Sequence, residues 1–64
     1  MTLIDLIKTM DDNVRVAIWL DHIIVGTVHE LLNTGMITTK MMNARVDKVF
    51  YSGLYNAIAV EIEM

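Results

Sequence analysis

Sixty-four residues with no cysteine, 55% hydrophobic side chains and a formal charge of −3 already exclude several classes of protein. The chain is too short for two cores, and it has no thiolate for a disulfide, a Cys-based zinc site or a cysteine nucleophile. Its five basic residues, Lys8, Arg15, Lys40, Arg45 and Lys48, are too dispersed for the clustered phosphate contacts that nucleic acid requires.

The first ten residues read as a helix. Thr2 and Asp5 have the spacing of a capping box, and Leu3, Leu6, Ile7 and Met10 share one face, widened by Ile4. Asp11-Asp12-Asn13 stops it, because all three favour turns. From Val14 the period changes to two, with Val14, Val16, Ile18 and Leu20 facing inward and Arg15, Ala17 and Trp19 outward. Asp21-His22 reads as a tight two-residue turn, with Asp in the left-handed region, leading into a second strand at Ile23-Ile24-Val25.

Gly26 marks the exit of that strand. Thr27 and Glu30 form a second capping box, opening a short helix that carries Val28, Leu31 and Leu32. Gly35 is its C-terminal glycine, with Met36 expected to pack back on Leu31. The segment "ITTKMMN" fits either a turn of helix or an irregular crossover. Ala44 to Tyr51 is a third strand, "SGLYN" holds the turn back, and Ala57 to Glu63 is a fourth. In that last strand Ile58, Val60 and Ile62 face inward, while Ala57, Ala59, Glu61 and Glu63 face outward.

The expected fold is a single α+β domain spanning residues 1–64, in the order α-β-β-α-β-β. Two hairpins would join into a four-stranded antiparallel sheet with both helices packed on one face. No apolar run nears the ~18–20 residues that span a bilayer, and no basic region precedes the first apolar residues as in a signal peptide. The expected setting is therefore the cytoplasm, without a membrane. A domain of this size buries only about 60% of the surface its unfolded chain exposes. Burial against a second copy or a partner is a common support for such small chains.

Two segments, "LIDLIKTMDDNVRVAIW" and "GTVHELL", resemble a group of small, mostly uncharacterised accessory proteins of Firmicutes phages and other mobile elements. The shared pattern is an opening L-x-x-L-[IL] helix, a D-N-x-x-V-x-I strand entry and a G-x-V-x-E-L handover from strand to helix. It falls here on Leu3, Leu6, Ile7, Asp12, Asn13, Val16, Ile18, Gly26, Val28, Glu30 and Leu31. The match covers about the first half of the chain and a generic "AIAVEIE" last strand. The turn "DH" is shorter than in that group and the "MITTKMMN" crossover more apolar. The resemblance implies an accessory protein of a phage or mobile element and gives no activity, and small accessory proteins of that kind often act by binding a host protein in the bacterial cell. Anti-CRISPR inhibitors of RNA-guided nucleases are one class of that kind.

The candidate sites follow from the residues. His22 and His29, with Asp21 and Glu30 beside them, are the only metal-site candidates. A strand separates the two histidines by about 15 Å, whereas two ligands of one ion each lie about 2 Å from it, so no metal and no cofactor are expected. Ser52, the only serine, reads as a turn residue beside Gly53, so catalysis is not expected either.

Protein recognition is the stronger reading. Trp19 and Arg15 lie on the outward face of the first strand, and both residue types are enriched in binding hot spots. The competing reading of Trp19 is burial under the crossover segment. Met36, Met41 and Met42 make an adaptable surface if exposed and core filling if not. Tyr55 closes the partner-binding set, and Asp11, Asp12, Glu61 and Glu63 would steer it toward a basic groove. The group Arg45, Lys48, Phe50, Tyr51 and Tyr55 has the mixture that stacks on single-stranded nucleic acid, but Asp47 interrupts it and a solvated strand face is the simpler reading. Two alternatives of different classes remain. One is a homodimer formed through exposed strand edges and the methionine-rich surface. The other is a histidine–carboxylate metal-binding protein in which His22, His29, Asp21 and Glu30 contribute to a site shared between two chains or completed by a distant carboxylate.

Overall fold

The computed structural model describes residues 1–64 and arranges them as α1 (Leu3–Ile7), β1 (Arg15–Trp19), β2 (Ile23–Thr27), α2 (Val28–Asn33), α3 (Thr39–Met42), β3 (Arg45–Ser52) and β4 (Ala57–Glu63). Both capping boxes close. Thr2 Oγ1 accepts from the Asp5 N–H while the Asp5 carboxylate accepts from the Thr2 N–H, and Thr27 and Glu30 repeat the arrangement at α2. Each box satisfies two helix-terminal donors that would otherwise have no partner.

The four strands lie in the order β2-β1-β4-β3. The two hairpins are antiparallel as expected, but β1 and β4 run parallel through the middle, so the sheet is mixed rather than antiparallel. The length of the connection explains this. With β1 parallel to β4, the two edge strands β2 and β3 point the same way. The chain must therefore travel back along the sheet between them, which takes a dozen or more residues and usually a helix. Val28 to Ala44 supplies that length, with two helical pieces in it. The second piece is the "ITTKMMN" stretch: Thr38 Oγ1 caps it by accepting the Met41 N–H at 3.1 Å, making a third helix where two were expected.

All three helices cover one face. Leu3 and Ile7 of α1, Val28 and Leu31 of α2, and Met41 of α3 pack with Val16, Ile18, Val60 and Ile62 of the sheet, together with Ile37 and Ala44. The N-terminus is tied to the start of β3, since Thr2 bridges Arg45 and the Val46 N–H donates to the Met1 carbonyl at 2.9 Å. No helix is long and apolar enough to cross a membrane.

Several local expectations change. The first helix ends at Ile7 and does not run through Met10, and Ser52 closes β3, buried opposite Ala57, and is not part of the turn. The first turn is a three-residue loop, Leu20-Asp21-His22, with no left-handed residue in it, and the Leu20 N–H donates to the His22 carbonyl across it. Gly26 is inside β2, opposite Val16, and not at its exit. After the left-handed Gly35 (φ 71°), it is Ile37 that enters the core cluster containing Leu31, while Met36 stays largely exposed.

Candidate interaction surface

The sheet face away from the helices has its own apolar centre. The pairings place Val25, Ala17, Ala59 and Phe50 in one row across the sheet. Ile23, Trp19, Glu61 and Lys48 form the next row, and Thr27, Arg15, Ala57 and Ser52 lie on the other side. Ala17, Ala57 and Ala59 are fully or almost fully buried, shielded by Trp19, Ile23, Val25 and Tyr55. No helix contributes a side chain to this cluster. The cover consists of the sheet's own larger side chains lying over its alanines.

Two interactions fix that cover. The rings of Trp19 and Phe50 meet edge to face, with centroids 5.7 Å apart at 68°. The Arg15 guanidinium donates to the Tyr55 carbonyl at 3.1 Å, holding the β3–β4 loop down on the face. Trp19 Nε1–H is shielded from solvent and finds no acceptor in the chain, and leaving such a donor unpaired costs about 1–3 kcal/mol. Phe50 remains 37% exposed. The surface has no concave pocket, so what it offers a partner is a broad, mostly apolar sheet face.

The structure therefore brings Arg15, Trp19 and Tyr55 together and separates them from the methionines. Of the three candidate methionines, Met41 is core, Met42 is half-buried against that core, and Met36 alone is exposed. The methionine segment is filling on the helical side and not a continuous contact surface. The acidic residues also divide. Asp11 and Asp12 precede β1, whereas Glu61 sits opposite Trp19 at the end of β1 and Glu63 lies beyond it, so the parallel pair puts the two groups at opposite ends of the sheet. Glu63 is further occupied by an exposed ion pair with Arg45 at 2.6 Å.

Phe50, Ile23 and Val25 complete the face; the sequence reading gives Ile23 and Val25 no binding role and groups Phe50 only with the nucleic-acid candidates. The signal was present in the alanines at 17, 57 and 59, whose period of two leaves a shallow floor that larger neighbours fill. Of the remaining nucleic-acid candidates, Tyr51 pairs with Ile58 and so points to the helical side, away from Phe50.

The histidine-carboxylate candidates do not converge. No group of three or more His, Asp or Glu side chains comes together. His29 Nδ1 lies 3.3 Å from the Asn33 amide nitrogen, one turn along α2. Glu30 is committed to its cap, with Oε1 accepting the Thr27 N–H at 2.8 Å. That backbone hydrogen bond, followed by the one to the Thr27 hydroxyl, holds the Glu30 carboxyl below its ordinary value. Asp5 is lowered likewise, first by the Thr2 side chain and then by the Thr2 backbone.

No protein family, curated protein or solved structure matches this chain.

Proposed function

We propose that this chain is a non-enzymatic interaction protein that binds a host protein through the uncovered sheet face around Trp19, in the manner of the phage and mobile-element accessory proteins its sequence resembles. One observation carries the reading. An apolar sheet face has a buried alanine floor and an aromatic rim, and no helix lies over it. Tryptophan and arginine, here Trp19 and Arg15 on either side of Ala17 on the same face, are residue types enriched among those that dominate binding energy at protein interfaces. The charges around the rim are mixed, with Glu61 opposite Trp19, Lys48 beyond it and Arg15 on the far side of the alanine row. That mixture suits a partner that presents apolar surface flanked by both signs of charge, in place of a purely basic groove. Inhibition of an RNA-guided nuclease is the specific form of this role that the resemblance suggests.

Affinity capture from bacterial lysate tests the face, using the wild type beside Trp19→Ala, Phe50→Ala and the distant Met36→Ala. A single host complex kept by wild type and Met36→Ala, and lost from the two face variants, is the expected result. Equal retention by all four removes the face from the role. Unchanged cleavage by a purified RNA-guided nuclease in excess inhibitor ends the nuclease form of the proposal.

A further inference from the structure

The two edges of the sheet are guarded very differently. On β3 the register slips between Val46 and Lys48, leaving Asp47 as a bulge, and Thr2 bridges the strand's first residue. Bulges, charges and covering segments are the usual ways by which an edge is kept from pairing with another chain. Strand β2, Ile23-Ile24-Val25-Gly26-Thr27, has none of them. Its free groups can be identified. The Leu20 N–H bonds the His22 carbonyl and the Val28 N–H bonds the Val14 carbonyl, so the even-numbered residues of this hairpin face β1. By the alternation of an antiparallel ladder, the N–H and C=O groups of Ile23 and Val25 point outward. The Thr27 N–H also points away from β1, but Glu30 occupies it.

We propose that two copies of this chain join through β2, antiparallel, about a two-fold axis between their Ile24 residues, to form one continuous eight-stranded sheet. In that register Ile23 of each copy faces Val25 of the other, and all four free groups on each side find a partner in four backbone hydrogen bonds. Centring the seam on Val25 instead would put the occupied Thr27 N–H against Ile23.

The same register brings complementary chemistry together on the helical side. His22 of one copy lies directly opposite Gly26 of the other, in a non-hydrogen-bonded pair, where side chains approach most closely. Gly26 has no side chain to oppose the ring, and the Glu30 Oε1 carboxylate oxygen lies 3.5 Å from where its Cβ would be. The imidazole is thereby placed beside a carboxylate with one oxygen still free, and symmetry makes the contact twice. On the opposite side, Ile23 and Val25 meet across the seam and join the two open faces into one. The seam does not depend on the host-protein role.

The test is sedimentation equilibrium of the intact chain from about 10 μM to about 1 mM, a range suited to a small interface, with amide exchange followed by NMR. The expected mass rises toward twice 7.3 kDa, and the Ile23 and Val25 amides gain protection as concentration rises. Val25→Pro removes an outward donor at a position where an edge strand tolerates proline, together with part of the side-chain cover over Ala17, and should leave a folded monomer. His22→Ala should weaken association about tenfold. A monomeric mass across the range overturns the proposal, as does a dimer that survives Val25→Pro. If Val25→Pro does not fold, the wild-type amides decide, since exchange at Ile23 and Val25 that ignores concentration also overturns it.

Discussion

Trp19 and Phe50 touch edge to face although β4 lies between their strands. Ala59, fully buried beneath them, makes this contact possible, since a larger side chain at that position would hold the rings apart. The pair thus bridges β1 and β3 above a strand that bonds to both.

A double-mutant cycle should expose that bridge. Trp19→Ala and Phe50→Ala, alone and together, are expected to give a coupling of about 0.5–1.5 kcal/mol in urea unfolding. Trp19→Phe should cost much less than Trp19→Ala, because it keeps an aromatic ring and removes the unpaired indole N–H. Strict additivity of the two alanine variants would show that the rings are neighbours without being partners.

The methionines separate by the same measurement. Met41 is 7% exposed inside the main core and Met36 is 40% exposed. Met41→Ala is expected to cost about 2–5 kcal/mol, a large share of the roughly 3–10 kcal/mol by which a domain of this size is stable. Met36→Ala should stay within about 0.5 kcal/mol. Similar costs at both positions would contradict the core placement of α3.

What could be read along the chain was local. Both capping boxes, the left-handed Gly35 and the limits of β4 each depend on residues within one turn or one strand, and each is where its spacing says. The parallel pairing of β1 with β4 could not be read, because alternation fixes which face a side chain takes and says nothing of a strand's direction or neighbour. The same blindness hid the interaction face. Ala17, Ala57 and Ala59 look solvent-facing one strand at a time and become a floor only when β1 and β4 lie side by side. Met41 and Met36 cannot be told apart in a crossover that has no period.

Acid should weaken the fold through its caps. The folded-state value of Glu30 lies below its ordinary 4.5, and that of Asp5 below its ordinary 3.8. Each carboxylate therefore contributes stability that is fully present above the ordinary value and is lost as pH falls through the lowered one. Urea midpoints measured between pH 7 and pH 2 should drop in the wild type as pH falls below those two values. They should drop less in Glu30→Gln combined with Asp5→Asn, whose amides can still accept the hydrogen bonds without titrating. Parallel curves for the two proteins would dissociate the caps from the acid response.

The β3–β4 loop offers a sharper test of local conformation. Asn56 is the only non-glycine residue with positive φ, at 51°, and its Oδ1 accepts the Tyr51 hydroxyl at 2.6 Å. Two contributions can be separated there. Asn56→Ala loses the hydrogen bond and forces a side chain that resists the left-handed region, for about 1–2 kcal/mol. Asn56→Gly loses the same bond but takes that conformation freely, so its cost should approach that of Tyr51→Phe, at about 0.5–1 kcal/mol. The loop sits over the alanine floor through Tyr55, so the same order should appear in partner capture if the loop shapes the face. If alanine cost no more than glycine, the hydrogen bond and not the backbone would be what selects asparagine at this position.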